Sequence, residues 1–110
     1  MVTMIERLQD DLIETELRRI LQQGDLRTVF QPIVYLLDGS IFGYEALSRG
    51  PVGSALESPL LLFDAADQVG LTWELDYACR HRAIDRFAID QYPSPVRDSR
   101  QRHGHLRYYG

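Results

Sequence analysis

The stretch TVFQPIVYL-LDGS-IFGYEAL, residues 28–47, constrains the fold more than any other part of the chain. Two runs rich in β-branched and aromatic residues flank Asp38-Gly39, a dipeptide suited to a tight reversal. The first run, Leu26 to Leu36, predicts a strand, and a second strand begins at Ile41. The unit they define is an antiparallel hairpin. Pro32 removes one backbone donor, which suits an edge, a bulge, or a strand without a full partner on that side. Strand side chains alternate, so Gly43, Glu45 and Leu47 share one face while Tyr44, Ala46 and Ser48 share the other. Arg49 continues the Glu45 face if the strand extends that far, and Gln31 on the partner strand could face the same way.

Helical patterns flank the hairpin. From Met4 to Gln23, Ile5, Leu8, Leu12, Ile13, Leu17, Ile20 and Leu21 recur at spacings of mostly three and four, with Gly24 as the stop. Downstream, Ser58 is a good N-cap, Pro59 fits a first helical position, and Gly70 fits a C-terminal stop. A further helix follows in LTWELDYACRHRAIDRF, with Thr72 as its cap and Leu75, Cys79, Ala83 and Phe87 as its apolar stripe. After Ile89 the period is lost, and the segment 89–110 reads as a loop or disordered tail.

A chain of 110 residues is one small domain. The net charge of −4 argues against an electrostatic fit of the whole protein to DNA or to an anionic membrane. Cys79 is the sole cysteine, so no intrachain disulfide forms, which fits a reducing cytoplasm. An apolar run such as Leu60 to Phe63 is far too short to span a bilayer, and MVTMIERLQDD does not have the pattern of a signal peptide. A soluble, cytoplasmic chain is the expectation.

The chemistry-bearing candidates lie in GYEALSRG, Gly43 to Gly50. Glu45 and Arg49 could hold a metal and a phosphate, or could be two surface charges. Elsewhere structural readings win. Glu74 and Asp76 sit at i and i+2 of a helix and do not share a face. Trp73 reads as packing against the sheet or the preceding helix, Cys79 as a small core residue, and His81 as part of a solvated helix face. His103 and His105 lack the further ligands that a metal site needs.

Taken together, FQPIV, DG, GYEALSRGP, ESP and WELD, from about Ile13 to Phe87, resemble the opening of an EAL domain, the cyclic di-GMP phosphodiesterase family. That resemblance implies an α/β fold: the N-terminal part of a TIM-barrel-like domain whose first strand runs antiparallel to the next. It implies that Glu45 occupies a ligand position for the catalytic Mg²⁺ or Mn²⁺, that Arg49 contacts a substrate phosphate, that Leu47 lies against the nucleotide, and that Gln31 lines the same pocket. The family reaction is metal-dependent opening of cyclic di-GMP to linear pGpG. The expected organisation is an N-terminal helix or linker over 1–12, a partial EAL domain over 13–88, and a non-homologous tail over 89–110.

The resemblance also implies absences. The family's later metal ligands include an asparagine and a pair of adjacent aspartates, and its catalytic lysine follows them. This sequence has no Asn and no Lys, and its adjacent acids Asp10-Asp11 lie upstream of the hairpin. A barrel of this type needs about 250 residues. The catalytic set is therefore incomplete here, and the isolated chain is expected to be inactive and to bind no metal tightly. A shift of reading frame near Pro95 would account for the break in composition. The alternatives are a degenerate EAL module that acts as a cyclic di-GMP receptor or protein-interaction domain, and a nonfunctional truncated gene product with exposed apolar surface and a tendency to self-associate.

Overall fold

The structure, a computed structural model, describes residues 3–90 and 105–109. The elements run α1 (Met4–Gln23), β1 (Arg27–Val34), β2 (Ile41–Arg49), α2 (Pro59–Val69), α3 (Thr72–Asp90) and β3 (His105–Tyr109). The three strands form one sheet in the order β1-β2-β3, antiparallel between β1 and β2 and parallel between β2 and β3. The hairpin expected from residues 28–47 is present, and Pro32 lies in β1, an edge strand of this sheet. Its turn is closed by Tyr35 N–H to Ser40 O and Gly39 N–H to Tyr35 O, both 2.9 Å. Asp38 Oδ1 accepts from Ser40 N–H at 3.0 Å, the side-chain contact that makes Asp-Gly a good reversal.

Helices α1 and α2 form where their end signals predict. Thr3 and Glu6 make a reciprocal capping box at the start of α1, and Gly24 ends it in the left-handed conformation at φ 64°. Ser58 caps α2 by accepting from Leu61 N–H at 3.2 Å, and Pro59 opens the helix. The start of α3 differs from expectation. Thr72 is the first helical residue rather than a cap, and its hydroxyl donates to the Asp67 carboxylate instead.

The core lies between the helices and one face of the sheet. Leu17 and Ile20 of α1, Leu62 and Ala66 of α2, Leu75 and Cys79 of α3, and the loop residues Leu26 and Leu56 are buried together. Ala83 continues the α3 stripe, and Phe87 ends it against Phe30 and Tyr44, with both ring centroids at 5.5 Å. Only the second half of α1 shares in this. Ile13 and Leu21 pack on the core, whereas Met4, Ile5, Leu8 and Leu12 are exposed although they continue the same apolar period. Trp73 is likewise not a packing residue: it is 72% exposed and stacks on Tyr77 of its own helix, because it lies off the Leu75–Cys79–Ala83 stripe.

The C-terminal stretch departs from a loop or disordered tail at both of its described ends. Helix α3 continues through Ile89 to Asp90, and His105–Tyr109 adds to β2 as a parallel strand. The exposed backbone of β2 offers a row of ladder partners, and a short segment containing two adjacent tyrosines suits a strand. Residues 91–104, where the composition break and His103 fall, lie outside the described residues. Among the described residues no helix is long and apolar enough to cross a membrane.

Candidate functional site

The register of the hairpin decides where the candidate residues meet. Gln31 stands opposite Glu45, Val29 opposite Leu47 and Arg27 opposite Arg49. Residues directly opposite in a ladder project to the same side of a sheet. All four candidates, Gln31, Glu45, Leu47 and Arg49, therefore share one face, together with Val29 and Arg27. Burial separates this face from the other. Tyr44, Ala46 and Ser48 are buried under the helices, while Glu45, Leu47 and Arg49 are half-buried and Gln31 is exposed. The site face is the face that the helices leave uncovered.

The C-terminal end of β2 borders a cavity of about 540 Å³. Arg27, Arg49, Ser54, Glu57, Ser58 and Leu61 are among its lining residues. The loop after Arg49 is folded back to form it. Gly50 N–H donates to Glu57 O at 2.9 Å, and Gly53 N–H donates to a Glu57 carboxylate oxygen at 3.0 Å. The other carboxylate oxygen of Glu57 pairs with Arg27 at 3.4 Å. Arg49 donates to the carbonyl of Ser48 at 3.1 Å, and no acid among the described residues pairs with it.

Arg27 and Glu57 were not among the residues that sequence reasoning singled out. The signal for Arg27 was present in the hairpin count: once Gln31 faces Glu45, Arg27 must face Arg49 four residues back. Glu57 carried no such signal, since it depends on how the loop 50–57 closes.

Glu45 brings one carboxylate to the uncovered face. Among the described residues no three His, Cys, Asp or Glu side chains gather in a group that could hold a metal ion. A hard divalent cation takes about six or more oxygen ligands, several of them carboxylates when the protein supplies the cage. The described residues do not build such a site. Glu74 and Asp76 do not form an acid pair; Asp76 is bound to Arg80 at 2.8 Å, one turn along α3.

A mixed sheet that opens antiparallel and continues parallel, with helices on one face and polar residues on the other, defines a partial EAL-type α/β fold. The sequence agrees. The family model of the EAL domain matches residues 14–98, so the chain belongs to the EAL domain family. The crystal structure of the Xanthomonas citri FimX EAL domain, in complex with c-diGMP, is similar to this fold with a TM-score of 0.73. The match covers 96% of this chain at 21% identity, and this chain spans 38% of the FimX chain. No curated protein matches the chain.

Proposed function

We propose that this chain carries the β1–β2 portion of a cyclic di-GMP site, in which Arg49 binds a phosphate, Leu47 lies against the nucleotide, Gln31 lines the pocket and Glu45 holds the metal-ligand position. The observation that carries this reading is the convergence of the four residues on the one sheet face that no helix covers. Arg49 adds to that face a cation that borders the cavity and has no acidic partner among the described residues. A guanidinium offers a planar fork of donors that suits two phosphate oxygens, and it keeps its charge at any physiological pH. Leu47 and Val29 supply the apolar patch on which a purine can rest, and Gln31 supplies both a donor and an acceptor.

Hydrolysis of cyclic di-GMP to pGpG belongs, in this reading, to a domain that adds the remaining ligands. The described residues contribute binding. A receptor role is the second reading, and a separate observation favours it: among the described residues no group of three or more potential metal-ligating side chains forms around Glu45. Titration of the chain with cyclic di-GMP, with and without Mg²⁺, tests both. The expected result is weak binding that Arg49→Ala abolishes, with no pGpG detected by chromatography. Release of pGpG would refute the inactive-chain reading, and the absence of any nucleotide binding would refute the site itself. Glu45→Gln separates the two roles. If Mg²⁺ strengthens nucleotide binding in the wild type and not in this variant, Glu45 is a metal position; equal behaviour supports the receptor.

A further inference from the structure

We propose that Arg27 is a second phosphate-binding guanidinium of this cavity, and that Glu57 is the internal partner it exchanges for a ligand phosphate. The inference rests on the cyclic dinucleotide reading given above and names a residue and a counter-ion that reading does not contain.

Three observations carry it. First, Arg27 and Arg49 stand directly opposite in the antiparallel ladder. Like charges in that relation repel and destabilise a sheet, and an anion shared between them relieves the repulsion. Second, both line the same cavity, whose volume of about 540 Å³ lies within the range of small-molecule sites. Glu57 is the acid among the lining residues, so two cations and one acid leave an excess of one positive charge. A phosphodiester carries one negative charge. Third, the bond between Arg27 and Glu57 is loose. It is 3.4 Å long, and its side chains are 43% and 44% exposed. A strong charge-assisted pair is nearer 2.7–2.9 Å, and exposed pairs contribute little.

The two partners are not equally free to move. Glu57 is tied to the loop through Gly53 N–H to its carboxylate and Gly50 N–H to its carbonyl. The remaining hydrogen bond of Arg27 in this region goes to Gly50 O at 3.4 Å, also long. Arg27 is thus the member that turns, and a phosphate entering beside Arg49 competes with Glu57 for its guanidinium.

The test is cyclic di-GMP titration of the full chain as wild type, Arg27→Ala, Arg27→Lys, Glu57→Gln and Arg49→Ala, with far-UV circular dichroism to verify the fold of each. Glutamine keeps an acceptor for Gly53 N–H while removing the charge. If the pair were merely structural, Arg27→Ala and Glu57→Gln would break the same contact and weaken binding together. The exchange predicts opposite effects. Arg27→Ala should weaken binding about tenfold or more, the loss of one charge-assisted contact. Arg27→Lys should fall between, because it keeps the charge and loses the fork. Glu57→Gln should bind as tightly as wild type or tighter. Parallel loss in Arg27→Ala and Glu57→Gln overturns the exchange. Wild-type binding in Arg27→Ala, alongside loss in Arg49→Ala, overturns the role of Arg27 and leaves the site standing. No binding by the wild type overturns both.

Discussion

Replacing Gly50 by alanine should damage this protein more than the loss of two hydrogens suggests, and the reason is space rather than backbone conformation. A Cβ added at Gly50 would lie 1.9 Å from the carbonyl oxygen of Leu56 and 2.7 Å from its carbonyl carbon. Both are backbone atoms, so no rotamer change relieves the clash. Reaching the 3.0 Å floor of real Cβ contacts requires a displacement of about 1.1 Å between the strand end and the loop. That movement breaks the 2.9 Å bond from Gly50 N–H to Glu57 O. It also pulls Leu56, which is 3% exposed, out of register with the core. A lost backbone hydrogen bond costs about 1 kcal/mol and overpacking about 1–3, for a total of about 2–4 kcal/mol. Gly24→Ala is the control. Nothing lies within 4 Å of a Cβ there, and the cost comes only from φ 64°, about 1–2 kcal/mol. Urea unfolding followed by far-UV circular dichroism measures both. The midpoint of Gly50→Ala should fall further than that of Gly24→Ala, with the slope unchanged. A Gly50→Ala protein within about 0.5 kcal/mol of wild type, or less affected than Gly24→Ala, would refute the steric argument.

Leu75 is fully buried in the core, so Leu75→Ala should cost about 2–5 kcal/mol in thermal or urea unfolding, whereas Trp73→Ala, two residues away and exposed, should cost less than about 0.5. Ser58→Ala removes the hydroxyl that caps α2 and should cost about 1 kcal/mol by the same assay, with Ser58→Asp restoring most of it. The hydrogen bond from Arg19 holds the Glu16 carboxyl below its usual range, while Arg19 itself is held further into its charged form. A lowered carboxylate pKa adds stability that is complete above the usual carboxylate range and declines as pH falls through the lowered value. Glu16→Gln should therefore flatten part of the acid side of the stability profile and leave neutral-pH unfolding cooperative; an unchanged acid limb would remove this pair from the account.

The legible parts of this fold are those governed by local rules. Asp38-Gly39, the alternation through Glu45, the Ser58-Pro59 start and the Gly24 and Gly70 stops each act within a few residues, and the structure follows them. The misreadings have a shared cause. The apolar period of α1 is continuous from Ile5 to Leu21, yet only the part from Ile13 onward meets α2 and α3. Periodicity reports that a helix could bury a face, not that something is there to bury it. Trp73 was misread for the converse reason: a large aromatic suggests packing, but the helical phase that buries Leu75 and Cys79 turns it to solvent. His105–Tyr109 carries too little apolar character to announce a strand, and its strand form depends on the ladder of β2, sixty residues away in sequence.

The site divides along the same line. Glu45, Leu47 and Arg49 follow from alternation on one strand, and Gln31 follows from the hairpin register. Arg27 needed that register to be carried four residues further, and Glu57 needed the closure of a loop that only Gly50 permits. The two faces of β2 explain why both kinds of information can coexist in nine residues. Tyr44, Ala46 and Ser48 meet the helices and hold the strand in place, while Glu45, Leu47 and Arg49 make no contribution to that core. Substitutions on the second face are free to change chemistry without changing the fold. The strand thus presents a fixed spacing of carboxylate, apolar side chain and guanidinium at every second position, and the hairpin sets a second guanidinium opposite the last. That spacing gives GYEALSRG its pattern: alternate residues anchor the strand, and Glu45, Leu47 and Arg49 between them occupy the face that the helices leave uncovered.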